Sequence, residues 1–149
     1  MEIQPDFKEW LALLNAHKVK YLIAGGYALA FYGAPRATGD IDILIHPTPQ
    51  NAARMVDVLK AFGFQSVGLT VEDFQNSDRV IQLGVPPVRI DILTSITGVS
   101  WEEAYKNKVK GKFGDVPVYY LGRKQFVANK KAVARKKDQA DLEALGEQS

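Results

Sequence analysis

Cysteine is absent from the 149 residues, so no disulfide framework, thiolate metal site or cysteine nucleophile is open to this chain. The absence suits a reducing cytosol, and a cytoplasmic protein is the expectation. Long apolar runs are also missing. Runs such as Tyr21 to Ala24 fall far short of a bilayer span, so no membrane role is expected. Met1 to Lys8 carries Glu2 and Asp6 and lacks a basic start followed by an apolar stretch, so it does not read as a signal peptide. No internal repeat or low-complexity tract is visible. An excess of one charge is lacking as well: 19 Lys and Arg face 17 Asp and Glu, and bulk charge therefore names no partner.

What is present has the hydrophobic and charged fractions of an ordinary soluble globular protein. The length suits a single domain over residues 1–149, large enough to bury a core without covalent or metal staples. The cations are unevenly spread. Lys106 to Lys112 and Arg123 to Lys137 are strongly basic, while most of the acids lie in the first hundred residues. Each basic run has two readings, a solvated face or a surface for phosphate or RNA.

The periodicities alternate between helix and strand. Phe7, Trp10, Leu11 and Leu14 predict an amphipathic helix over 5–16, with Trp10 in the core. Val19 to Ala24 reads as a strand, broken by Gly25-Gly26, and Tyr27 to Tyr32 as a short helix ending at Gly33. Asp40 to Ile45 alternates as a strand with one buried face. A helix from Thr48 or Pro49 to Phe62 stops at Gly63, a left-handed cap. Phe64 to Val67 reads as a further strand. Arg79–Leu83 and Val88–Leu93 form an antiparallel pair across Gly84 to Pro87. Ser100 and Glu103 have the spacing of a capping box. Val109–Phe113 and Val116–Tyr120 form a hairpin through Gly114-Asp115, with Tyr119 and Tyr120 as sheet packing. From Gly122 onward the chain is helical, in one or two pieces. Helices at both ends and strands in the middle predict an α+β class, a mixed β-sheet flanked by helices with a C-terminal helix.

The chemistry concentrates in carboxylates. Residues two apart on a strand share a face, so Asp40 and Asp42 point one way while Ile41, Ile43 and Ile45 point into the core. Adjacent carboxylates repel, which raises one pKa unless a cation lies between them, and a hard divalent cation meets that need with oxygen ligands. Val88, Ile90 and Ile92 make the apolar face of the second strand, leaving Arg89, Asp91 and Leu93 on the other. An acid in mid-strand is costly if buried alone. Beside the first strand, Asp91 completes a cluster able to bridge two metals about 3.5–4 Å apart. The competing reading is a set of solvated acids on an exposed sheet face. Gly25-Gly26, between strand and short helix, allows close approach to a phosphate at a helix N-terminus; a tight turn needing positive φ is the alternative. Arg36 and Thr38, in the loop entering the acidic strand, are candidate phosphate ligands or simply solvated. His17 and His46 lack metal-ligand spacing, and Ser95 has no His–Asp companions that would make a hydrolase.

Three segments together, Leu22-Ile23-Ala24-Gly25-Gly26-Tyr27-Ala28-Leu29, Arg36-Ala37-Thr38-Gly39-Asp40-Ile41-Asp42-Ile43 and Arg89-Ile90-Asp91-Ile92-Leu93, resemble the polymerase-β-type nucleotidyltransferase superfamily. Within it the chain looks most like the AbiEii-type abortive-infection toxin nucleotidyltransferases. Lys130, Arg135, Lys137-Asp138 and Asp141-Leu142 resemble the C-terminal helix of that group. The resemblance implies a mixed sheet flanked by helices, Mg²⁺ (or Mn²⁺) held by Asp40, Asp42 and Asp91, and transfer of a nucleoside monophosphate from an NTP with release of pyrophosphate. The family turn is often Gly-Ser; here Gly26 is followed by Tyr27, as in Gly-Gly variants. The acceptor could be tRNA, a protein or a small hydroxylated molecule, and a toxin would have an antitoxin protein as partner. The alternative is a non-catalytic nucleotide-binding or regulatory module on the same fold. Lys130, Lys137, Asp138 and Asp141, at offsets of seven, eight and eleven, are expected near one helical face. There Lys130 and Lys137 would bind the nucleotide, with Asp138 or Asp141 holding Lys137 in place, unless these residues are only surface ion pairs.

Overall fold

The first helix follows directly from its sequence. α1 (Pro5–Ala16) opens with proline at its first position, is capped by the Gln4 side chain and buries Phe7, Trp10, Leu11 and Leu14. The computed structural model describes residues 4–34, 39–64, 68–85 and 87–147. Lys18 takes φ 58, Val19 N–H returns to Leu14 O at 2.9 Å, and Lys20 N–H donates to Asn51 Oδ1 at 2.8 Å. Those bonds tie residues 18–20 to helices, so β1 (Tyr21–Ala24) starts later than the expected Val19.

Glycine ends β1 as expected. α2 (Gly25–Phe31) begins on Gly25 itself, at φ 63, so the glycine pair forms the first turn rather than a loop before it. β2 (Asp40–Ile45) and β4 (Val88–Leu93) have the expected bounds. α3 (Pro49–Phe62) is capped by the Thr48 side chain and stops at Gly63, at φ 98. Phe64 N–H bonds back to Leu59 O at 2.8 Å, extending that stop into the segment expected to be a strand; residues 65–67 lie outside the described residues. A helix absent from the periodicity reading, α4 (Val71–Gln75), is nucleated by a capping box between Thr70 and Asp73. Five residues are too few to show a helical period.

β3 (Val80–Val85) pairs antiparallel with β4, the ladder continuing to Val85↔Val88. α5 (Trp101–Lys106) starts at Ser100, whose hydroxyl accepts from Glu103 N–H. β5 (Val109–Phe113) and β6 (Val116–Tyr120) form the expected hairpin. The C-terminal segment is two helices, α6 (Arg123–Val133) and α7 (Lys136–Ala144), because Ala134 takes a left-handed φ of 59 and ends the first.

The strands form one mixed sheet in the order β3-β4-β2-β1-β6-β5. β2 with β4 and β1 with β6 are parallel, and the other neighbours are antiparallel. The class is the expected α+β, a mixed sheet with helices. α1 packs on α3 and β6, and α2 on β1 and β2. Trp10 is fully buried, edge-on to Phe62. Among the described residues no helix is long and apolar enough to cross a membrane.

Candidate active site

Central strands bring the acids together. β2 and β4 run parallel with Asp42 directly opposite Asp91 and Asp40 opposite Arg89. Ile41 and Ile43 are wholly buried on the other face, so the alternation that fills the core also aligns Asp40 and Asp42. One carboxylate oxygen from each of Asp40, Asp42 and Asp91 lies within 4.8 Å of the other two. Asp91 is buried, and its two neighbours are half-buried.

Crowded, desolvated carboxylates resist ionisation. Burial, then the charges of Asp40 and Asp91, push the Asp42 carboxyl up to about 7, with a hydrogen bond to Asp91 adding to the rise. Asp91 is also raised, by burial first, against the opposing hydrogen bond from Arg89. Arg89 grips Asp91 with two hydrogen bonds, Nε to Oδ1 at 3.1 Å and Nη2 to Oδ2 at 3.2 Å. It therefore supplies part of the positive charge this cluster lacks. The sequence signal for Arg89 is its position two residues before Asp91 on the same strand face. A third neighbour is Tyr27, whose hydroxyl is raised by burial and then by the charge of Asp40.

Glycine makes room for this arrangement. Ala24, the last residue of β1, pairs with Asp42. A β-carbon on the next residue, Gly25, would lie 2.0 Å from Asp42 Oδ2. The site thus needs glycine at position 25 twice, for φ 63 and for this approach. Gly26 is buried within the same first turn of α2. The expected close approach to a phosphate becomes, among the protein's own atoms, a close approach to the Asp42 carboxylate. Three convergent carboxylates with hard oxygen donors fit a divalent cation such as Mg²⁺.

The C-terminal residues divide differently from the expectation of one helical face. Lys130 lies on α6, whereas Lys137, Asp138 and Asp141 lie on α7; the left-handed Ala134 between them removes the common helical register. Lys130 is buried, its ammonium 3.2 Å from Asp138 and 3.3 Å from Asp141. These are not surface ion pairs. Asp138 also accepts from Arg135 Nε at 2.8 Å and from the Arg135 backbone at 3.1 Å. Burial works to raise Asp138, but Arg135 and Lys130 outweigh it and hold the carboxyl at about 2. The network pins α7 to the end of α6. The Lys130 ammonium, expected at the nucleotide, is held here by Asp138 and Asp141. Lys137 is exposed, and its charge reaches Asp42, opposing the rise in that pKa. Arg36 and Thr38 lie outside the described residues. His46 stacks on Trp101, centroids 4.9 Å apart.

A family model described as aminoglycoside-2''-adenylyltransferase matches residues 6–145. The fold is similar to that of a Thermotoga maritima protein described as a candidate nucleotidyltransferase, at 16% identity and a TM-score of 0.57, covering 97% of this chain and 96% of that one. It is also similar to the lincosamide antibiotic adenylyltransferase LnuA in its lincomycin-bound form, at 13% identity and a TM-score of 0.57, covering 96% of each chain. The search of curated proteins gave no match.

Proposed function

The chain belongs to the aminoglycoside-2''-adenylyltransferase family, and from that premise we propose that Asp40, Asp42 and Asp91 are the catalytic residues of a metal-dependent transfer of a nucleoside monophosphate from an NTP to an acceptor hydroxyl. As a nucleotidyltransferase, the chain uses an NTP as donor. The observation that carries the site assignment is the convergence of the carboxylates on two adjacent parallel strands, within 4.8 Å. Mg²⁺ or Mn²⁺ bound there would neutralise triphosphate charge and lower the pKa of the acceptor hydroxyl.

The chain's own residues have distinct tasks in this reading. Asp42 and Asp91 would hold the cation from facing strand positions, with Asp40 as the third ligand. Arg89 opposes the rise in the Asp91 pKa by donating two hydrogen bonds to it. Gly25 lets the first turn of α2 close on Asp42, and Gly26 continues that turn, where backbone N–H groups can meet phosphate oxygens. Lys137, exposed and within electrostatic reach of Asp42, neutralises triphosphate charge. Arg36 and Thr38 remain phosphate-ligand candidates from their place before β2. Lys130 acts through Asp138 and Asp141 to position α7, and so Lys137.

We propose a small polyhydroxylated molecule as acceptor, in a single domain spanning 1–149 and working in the cytoplasm. The family description and the antibiotic-modifying structural neighbour support this acceptor class. The AbiEii-type resemblance carries a second reading, with tRNA or a protein side chain as acceptor and an antitoxin protein as partner; the Lys137-Asp138 and Asp141-Leu142 pattern supports it. A non-catalytic nucleotide-binding module is disfavoured because it would have no need to crowd three acids on its central strands.

The test is incubation with each α-labelled NTP, Mg²⁺ or Mn²⁺, and separate panels of aminoglycosides and lincosamides, total RNA, and cell protein. Label should move to a small-molecule acceptor, and Asp42→Asn should not support it. Label moving only to RNA or protein selects the second reading. No label on any acceptor, with NTP still bound, selects the non-catalytic module.

A further inference from the structure

A second cluster of charge, opposite in sign, lies away from the aspartates. Lys18, Lys20, Arg54, Tyr105 and Tyr119 line a cavity of about 330 Å³, and Lys108 reaches over its rings. Tyr21 at the start of β1 pairs with Ile45, whereas Ala24 at its end pairs with Asp42. The cavity therefore opens at the far end of β1 from the aspartates, roughly 10 Å along the strand at about 3.3 Å per residue.

The cations here are arranged but not neutralised. Lys108 Nζ lies 4.0 Å from the Tyr105 centroid and 5.4 Å from that of Tyr119, and Lys20 Nζ lies 6.0 Å from Tyr105. Arg54 donates to Lys18 O at 3.2 Å. Among the described residues, none of these four forms an ion pair with a carboxylate. Like charges gathered without counter-charges destabilise the fold unless a ligand neutralises them.

A simpler explanation accounts for part of this arrangement. Cations complement helix C-termini, which covers Lys18 just past α1, Lys108 just past α5, and Arg54, whose guanidinium donates to Lys18 O at that end of α1. It leaves out Lys20, just before β1.

We propose that this pocket is a metal-independent binding site for the phosphate groups of a polyphosphorylated ligand, distinct from the aspartate cluster. Tyrosine rings hold two of the cations in place before the ligand arrives, and the tyrosine hydroxyls add hydrogen-bond donors. The same chemistry suits a small polyphosphate and the backbone of a single-stranded polynucleotide.

The experiment uses the full chain in EDTA, so that the aspartates cannot recruit phosphate through a cation. The probes are inorganic tripolyphosphate and a fluorescent oligouridylate. Wild type and Asp42→Asn should bind equally well. A Lys20→Ala/Arg54→Ala double variant, with circular dichroism as the check on folding, should bind at least roughly ten-fold more weakly at about 50 mM salt. Lys108→Ala serves if the double variant does not fold, and should weaken binding in the same direction. Oligouridylate affinity falling with a log–log salt slope of about −3, as four phosphate contacts on a single strand require, identifies a polynucleotide backbone. Displacement of the oligonucleotide by tripolyphosphate at lower concentration than by unlabelled strand identifies a small polyphosphate. Failure of wild type to bind either probe, or unchanged affinity in folded variants, overturns the proposal. Loss of binding in Asp42→Asn would also overturn it, by assigning the phosphate to the aspartate site.

Discussion

Asp42 occupies the space that a side chain on Gly25 would need: a β-carbon there would lie 2.0 Å from Asp42 Oδ2 and 2.8 Å from its Cγ. The conflict is with a carboxylate on a central strand, which cannot swing away as the tip of a long side chain could. Gly25→Ala should therefore displace Asp42 or distort the first turn of α2. The left-handed backbone alone costs alanine about 1–2 kcal/mol, or roughly 2–8 °C in melting temperature. Transfer activity should fall at least a hundred-fold, beyond what that loss of stability explains. A melting curve with an activity assay well below the melting temperature checks both. Near-normal activity in Gly25→Ala would show that Asp42 is free to relocate.

Asp42 also sets a pH dependence. Its carboxyl is raised from 3.8 to about 7 in the folded protein, so the folded state binds a proton that the unfolded chain has released. The stability from this group is full below pH 3.8 and is lost as pH rises through about 7. In EDTA the difference in melting temperature, wild type minus Asp42→Asn, should fall between pH 5 and pH 8. Mg²⁺ should recover that loss at pH 8, do less at pH 5, and have little effect on Asp42→Asn. Identical pH profiles for the two proteins would mean that Asp42 carries no such proton.

Arg89 stands beside the cluster as its built-in cation. Arg89→Ala removes two hydrogen bonds from Asp91, leaving three carboxylates with less compensation. Its melting temperature in EDTA at pH 8 should drop, and Mg²⁺ should restore most of the drop. Arg89→Lys, which keeps the charge but cannot grip both oxygens as a planar fork does, should fall between wild type and Arg89→Ala. Equal loss with and without Mg²⁺ would reduce Arg89 to a packing role.

Lys137 and Lys130 should separate cleanly. Lys137→Ala, an exposed change, should leave the melting temperature nearly unaltered and raise the apparent KM for NTP, or lower kcat if the contact forms in the transition state. Lys130→Ala leaves Asp138 and Asp141 buried with one fewer cation, and breaking such a pair costs on the order of 3–5 kcal/mol. Unchanged NTP kinetics in Lys137→Ala would leave the aspartates as the whole of the proposed triphosphate site.

The amino-acid order alone determined which residues could share a face. Period-two alternation placed Asp40 with Asp42, opposite Ile41 and Ile43, and Arg89 with Asp91, because a strand offers only two sides. Glycine and capping residues marked most element ends for equally local reasons, as at Thr48, Gly63 and Ser100. The α+β class followed from the succession of periods. Tertiary structure decided what local rules do not reach. Alternation does not say which strands are neighbours; the parallel register that sets Asp42 against Asp91 is an outcome of packing across the whole sheet. A glycine pair signals permissive backbone, but that Gly25 must be bare because Asp42 lies against it emerges only when β1 and β2 are side by side. The C-terminal segment shows the limit most clearly. Alanine is the best helix former, yet Ala134 turns left-handed and ends α6. The pairing of Lys130 and Arg135 with the buried Asp138 holds a corner there that no residue propensity foretells.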